Sequence, residues 1–202
     1  MSAETRPATW RDHWRRMRPL YLVLLACLTP VVASYLAYYV FQPSGRTNYG
    51  ELVVPQRPAP KLALRGLDGA PFELSALRGN WVMLAVDRAE CGDSCRTKLW
   101  NMRQVRTATG RERDRIERVV LFVDDAPTTT LVLREFEGTH FLRASTAELK
   151  PFLEAAAGTG SLEAPIWLID PLGNLMLRWP EAADPSRMKK DMDRLLRASR
   201  IG

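Results

Sequence analysis

Residues 81–95 read WVMLAVDRAECGDSC: six apolar residues, an aspartate, then two cysteines four positions apart. A continuous apolar run of this kind fits a strand covered on both faces, and that requires helices in the crossovers. After Cys95, Leu99, Met102 and Val105 recur at helical spacing, so a helix begins at or near the second cysteine. Cys91 and Cys95 therefore occupy neighbouring helical positions, or one lies on the loop and one in the first turn. Unpaired backbone N–H groups and the helix dipole favour thiolates there.

Working outward, VVLFV (119–123) and IWLI (166–169) repeat the character of the first run, and each of the three is followed by an aspartate or ends beside one: Asp87, Asp124 and Asp170. Asp170-Pro171-Leu172-Gly173-Asn174 is a turn into LMLRW (175–179), which makes the last two strands antiparallel neighbours. Upstream, KLALRG (61–66) and PFELSAL (71–77) flank the Asp68-Gly69 turn and read as a short hairpin. RERDRIER (111–118) is a charged continuation of the first helix or a solvated linker. Further helices run from Ala147 to Ala157, stopped by Gly158, and from Pro185 to Ser199. Met188, Met192, Leu195 and Leu196 form the apolar stripe of the last helix; that spacing assigns the methionines to the core and not to copper. The order is hairpin, strand, helix, strand, helix, strand, strand, helix: one α/β sandwich.

The N-terminal part has a different composition. Leu20–Phe41 is an uncharged stretch of 22 residues within a chain of 202. As a helix it is about 33 Å long, enough to cross a bilayer core. It is too long for the apolar region of a cleaved signal peptide, and no small-x-small site follows it. The preceding tail carries Arg6, Arg11, Arg15, Arg16 and Arg18 against Glu4 and Asp12, which keeps the N-terminus in the cytoplasm and exports the rest. The same arginines, beside Trp10 and Trp14, suit anionic lipid and topology, so nucleic acid is not an expected partner. The net charge of the chain is +6, but beyond Phe41 the balance is only 24 basic against 21 acidic residues. Four segments follow: a basic tail 1–19, a signal anchor 20–41, a Pro/Gly-rich stem 42–60 and an exported domain 61–202. The expected location is a bacterial inner membrane, single-pass, with the C-terminal domain in the periplasm.

An oxidising compartment leaves a thiol pair three fates. It can be a permanent structural disulfide, a redox-active dithiol, or part of a soft-metal site, since two thiolates suit Cu(I) and a stable site recruits a further ligand. Cys27, inside the apolar stretch, cannot join the pair.

Over residues 60–198 the chain resembles the SCO/SenC-type proteins, membrane-anchored thioredoxin-like factors that assemble the copper centre of cytochrome c oxidase. The resemblance is carried by the anchor and stem, LRGLDGAPFELSALRGNWVMLAV (64–86), CGDSC (91–95), LFVDD (121–125) and IWLIDPLGNL (166–175). It implies a thioredoxin-like three-layer α/β sandwich with an N-terminal hairpin, preceded by one transmembrane helix. It also implies that Cys91 and Cys95 bind Cu(I) with a histidine, or exchange electrons with a disulfide on the oxidase copper-binding subunit or on another assembly factor.

Two positions depart from the family. The segment where its histidine belongs, around Leu162, reads GTGSLEAPIWLID (158–170) with no histidine, and Arg96 follows Cys95 where the family places a proline. Of the two histidines, His13 lies in the cytoplasmic tail, so His140 is the sole exported candidate ligand. Pro165 lies close to the cis-proline that faces the reactive cysteine in thioredoxin-like proteins. With the family histidine missing, dithiol exchange ranks above copper binding, and both rank above a non-catalytic assembly scaffold. Cys91, nearer the helix mouth, is the expected attacking thiolate and Cys95 the resolving one.

Overall fold

The computed structural model describes residues 10–39, 48–157 and 160–199. It divides into two units, residues up to Thr47 and residues from Asn48 onward. The first holds helix α1 (Trp10–Tyr39), interrupted by neither Pro19 nor Pro30. Met17–Tyr39 has a mean hydropathy of 2.1 and no buried residue, and is long and apolar enough to cross a membrane. Residues 1–9 of the expected tail and residues 40 and 41 of the expected anchor lie outside the described residues.

The described residues of the second unit are built on a mixed sheet of eight strands. In chain order these are β1 (Glu51–Pro58), β2 (Leu64–Gly66), β3 (Pro71–Phe72), β4 (Trp81–Asp87), β5 (Ile116–Phe122), β6 (His140–Arg143), β7 (Ile166–Ile169) and β8 (Asn174–Trp179). Their order across the sheet is β1-β8-β7-β4-β5-β6-β2-β3. β4, β5 and β6 run parallel, while β7 is antiparallel to both β4 and β8. Among the described residues four α-helices complete the unit: α2 (Asp93–Ala108), α3 (Thr130–Glu135), α4 (Thr146–Ala157) and α5 (Pro185–Ala198).

The apolar run of β4 is explained by two cores. Trp81, Met83 and Ala85 point to the side of α2 and α5, where Leu99, Met102, Val105, Met188, Met192 and Leu196 meet them. Val82, Leu84 and Val86 point to the other side, against Leu149, Phe152 and Leu153 of α4. Period-two alternation sends neighbours to opposite faces, so a strand between two helical layers must be apolar throughout. Burying each such large aliphatic side chain contributes about 1.5–3 kcal/mol. The methionines of α5 are core residues, fully buried.

The expected α/β sandwich stands, with three additions. The stem does not survive as one segment: residues 42–47 lie outside the described residues, and residues 51–58 form β1, paired antiparallel with β8 through Glu51 opposite Arg178 and Pro58 opposite Asn174. An edge strand tolerates Pro55 and Pro58, whose missing N–H groups would break a central ladder, and the register shifts between Leu52 and Arg57. Buried Val53 and the Glu51–Arg178 ion pair at 2.7 Å hold the strand in place. Second, α3 and β6 fill the region between β5 and α4, which the sequence pattern left blank. Third, residues 111–118 are divided between a 3-10 turn, Gly110–Arg115, and the start of β5. The hairpin forms as β2 and β3, its turn closed by the Gly66 N–H to Ala70 and by Gly69 at φ +84°, a conformation that favours glycine. Gly158 lies outside the described residues.

Candidate redox site

β4 delivers the chain to the dithiol. At its end, the Asp87 carboxylate accepts from the Arg88 N–H at 2.9 Å, and Asp124, just past β5, accepts from the Ala89 N–H at 2.9 Å. The Cys91 N–H donates to the Arg88 carbonyl at 3.1 Å, closing a tight turn in which Cys91 has φ +47°. Gly92 is the N-cap of α2, and Cys95 lies in its first turn. Cys91 and Cys95 are joined as a disulfide, with their Cα atoms 5.0 Å apart. Both are almost buried, 4% and 2% exposed, and their side chains belong to the core on the α2 and α5 side. Gly92, Asp93 and Ser94 between them are exposed. When the bond is reduced, the first-turn N–H groups favour thiolate on these sulfurs.

Two exposed side chains of the turn and first helical turn have partners across the fold. Arg96 pairs with Glu135 at 2.9 Å, and the Ser94 hydroxyl donates to Glu181 beyond β8. Beneath the turn lies a buried charge that sequence reasoning missed. The Lys98 ammonium, 1% exposed, sits 2.7 Å from the Asp87 carboxylate and 3.1 Å from the Val86 carbonyl, and also donates to the Glu163 carbonyl. The available signal was a lysine on the apolar side of the helix, three residues past Cys95 and beside Leu99.

The structure does not bring His140 to the cysteines. Asp87 is level with Phe122, and Phe122 with Arg143, so His140 lies three residues back from the end of the parallel strands and two strands across. That is about 10 Å along the sheet and about 10 Å sideways. It also shares its parity with Leu142, which faces the α4 core, the opposite side from the disulfide. There it packs on Phe72 with ring centroids 5.4 Å apart, and its Nε2 is 3.4 Å from Glu117. Nor is Pro165 preceded by a cis bond. The cis peptide among the described residues is Val54–Pro55, and the Ala164–Pro165 bond keeps the trans form that most X–Pro bonds prefer. Pro165 instead lines a groove with Tyr49, Trp179 and Glu181, just before β7. Among the described residues no group of three or more His, Cys, Asp or Glu side chains could hold a metal.

A family described as "Transmembrane-like, thioredoxin-like, C-terminal domain" matches residues 81–199, from the first residue of β4 to the end of α5. The chain belongs to this family. Solved structures share its fold. Bradyrhizobium japonicum ScoI with copper bound is 22% identical, with 68% of this chain and 98% of that one covered and a TM-score of 0.50. Apo Sco1 from Thermus thermophilus is 20% identical, covering 77% and 98%, with a TM-score of 0.57. The thioredoxin domain of a thiol-disulfide oxidoreductase from Bacteroides vulgatus is 16% identical, covering 69% and 95%, with a TM-score of 0.52. No curated protein matches the chain. The chain is thus SCO/SenC-like in its thioredoxin fold, and it carries the cysteine pair where the first core strand meets the first helix of that fold.

Proposed function

We propose that this protein is a membrane-anchored thiol–disulfide exchange protein acting in the assembly of a respiratory oxidase copper centre. The observation that carries this reading is the Cys91–Cys95 disulfide at the mouth of α2, with Cys95 in the helix's first turn. The helix Met17–Tyr39 supports the anchor, and the arginines before it support a cytoplasmic N-terminus and a periplasmic domain in a bacterial inner membrane. The fold shared with Sco proteins supports the oxidase-assembly setting.

In the reduced protein, the Cys91 thiolate attacks one sulfur of a partner disulfide. A mixed disulfide forms and one partner thiolate leaves, to be protonated. The Cys95 thiolate then attacks the Cys91 sulfur, expelling the second partner thiolate and forming the Cys91–Cys95 bond. The partner gains two electrons and this protein loses them; a dithiol donor restores the reduced pair. The partner in this reading is the oxidase copper-binding subunit or another assembly factor.

Among the described residues, no third His, Cys, Asp or Glu side chain joins Cys91 and Cys95 in a self-contained copper site. Two sulfurs are available, both committed to the disulfide, and the third donor nominated by sequence, His140, lies on the other face of the sheet. A second reading, Cu(I) delivery by the reduced pair with the third ligand coming from the partner, is favoured by the copper-bound relative of the same fold.

One set of measurements separates the readings: anaerobic Cu(I) titration and redox equilibration of the full chain in detergent, for wild type, Cys91→Ser, Cys95→Ser and His140→Ala. Exchange predicts a disulfide that equilibrates with dithiols and is lost in either serine variant, with His140→Ala unchanged in both assays. Tight Cu(I) binding by the reduced wild type, lost on serine substitution, moves the assignment to delivery. A disulfide inert to dithiols, with serine variants that still support oxidase assembly, leaves only a scaffold with a structural bond.

A further inference from the structure

Lys98 lies three residues beyond Cys95 on α2, so the two side chains share one face of the helix. The other buried residues of α2 are Leu99, Asn101, Met102 and Val105, all apolar but Asn101. An ammonium is tolerated in such surroundings only when its hydrogen-bonding capacity is used. Lys98 has three acceptors: the Asp87 carboxylate, the Val86 carbonyl and the Glu163 carbonyl. They belong to two separate pieces of the site. Val86 and Asp87 end β4, with Asp87 four residues before Cys91; Glu163 lies in the loop that leads through Pro165 to β7.

We infer that Lys98 is a positioning residue for the dithiol, tying the cysteine turn to the loop before β7 and favouring the reduced pair over the disulfide. The inference rests on the exchange reading of Cys91 and Cys95. When a donor dithiol reduces the pair, the donor becomes a disulfide and two electrons pass to Cys91 and Cys95. Of the donor's two protons, one stays with the pair and one goes to solvent, so the reduced pair retains one thiolate, formed on Cys95 as its sulfur leaves. That charge develops on the helix face that carries the Lys98 ammonium, out of bulk water, where charge–charge attraction is least screened. The neutral disulfide gains nothing comparable. Asp87 opposes the effect, because its carboxylate neutralises the same ammonium.

The two halves of the ion pair therefore have opposite influences on the redox equilibrium. The full chain in detergent is equilibrated with glutathione redox buffers, and the dithiol fraction is read by thiol trapping and mass. Lys98→Met is expected to raise the equilibrium constant for disulfide formation about tenfold, and Asp87→Asn to lower it by about threefold or more. Asparagine keeps the oxygen that accepts from the Arg88 N–H, so the turn retains that bond. General loosening of the site would move both variants in the same direction. Shifts of the same sign, or none, in variants of a wild type that exchanges normally overturn the role of Lys98 alone. A wild type inert to glutathione and dithiols overturns the exchange reading and this inference with it. If Lys98→Met does not fold, the sign of the Asp87→Asn shift decides.

Discussion

Lys98 and Asp191 are both charged and both nearly sealed from solvent, 1% and 2% exposed, yet they organise different things. Asp191, on α5, accepts from the Tyr49 N–H at 3.0 Å, the Gly50 N–H at 2.8 Å and the Trp179 indole at 3.0 Å. Its donors come from the first described residues of the second unit and from the last strand, so it joins the start of the unit to its end. Gly50 fits there because an added Cβ would lie 2.9 Å from the Trp179 indole nitrogen and closer still to Leu177. Lys98 instead gathers elements that meet at the cysteine turn. Burial of charge alone therefore does not mark a functional residue; what matters is which elements its partners belong to.

The sharpest way to break this contrast is Asp191→Ala. Removing the carboxylate leaves two backbone N–H groups and one indole N–H without their acceptor, and truncation of a buried charged partner of this kind costs about 3 kcal/mol or more. Denaturant unfolding of the full chain in detergent should show that loss, while the glutathione equilibrium of the remaining folded protein stays unchanged. A redox shift as large as that of Lys98→Met would erase the distinction between the two sites.

Next in size is the disulfide itself. Closing so short a loop restrains the unfolded chain modestly, so Cys95→Ser should cost about 2 kcal/mol by the chain-entropy relation. Its effect on exchange should be complete. A structural staple would show the reverse weighting, with large destabilisation and no lost reaction. Comparing reduced and oxidised wild type by the same unfolding assay gives the bond's contribution without a substitution.

The two regions were not equally legible in the sequence. The turn around the cysteines was, because its elements announce themselves locally: an apolar run, a loop, and a helical stripe after Cys95. So were β7, β8 and α5, with their unbroken patterns. β1 was not, because two prolines and a glycine beforehand read as a stem, and only pairing with β8 on the sheet edge makes them a strand. β6 is four residues long, too short for alternation to stand out, and its placement beside β5 is what carries His140 away from the disulfide. Lys98 and Asp191 were hidden for a common reason. A charged residue reads as solvent-facing until its acceptors or donors are known, and those lie up to 142 residues away in the chain.

Arg118 offers the smallest effect and the finest test of what satisfied burial means. It is 5% exposed, on the strand β5, and its Nη2 donates to the Glu137 carbonyl at 2.7 Å, but its Nε and Nη1 have no partner. Desolvation, followed by repulsion from Arg106 and Arg103, holds its pKa below the usual guanidinium value, with Glu117 acting the other way. Lys98 has its acceptors; Arg118 lacks most of its own. Replacing an under-satisfied buried charge with an apolar side chain of similar length is often neutral or favourable, so Arg118→Met should leave stability unchanged or raise it by about 1 kcal/mol. The sign of the pH dependence follows from linkage. A lowered cation pKa means that the unfolded chain binds more protons than the folded one, so stability rises with pH, but only in the strongly alkaline range where a guanidinium begins to lose its proton. At ordinary pH the gain from Arg118→Met should be constant. A clear loss of stability in the denaturant midpoint would show that the guanidinium stabilises the fold despite its two idle donors, and partner count would then fail as the measure that separates Arg118 from Lys98.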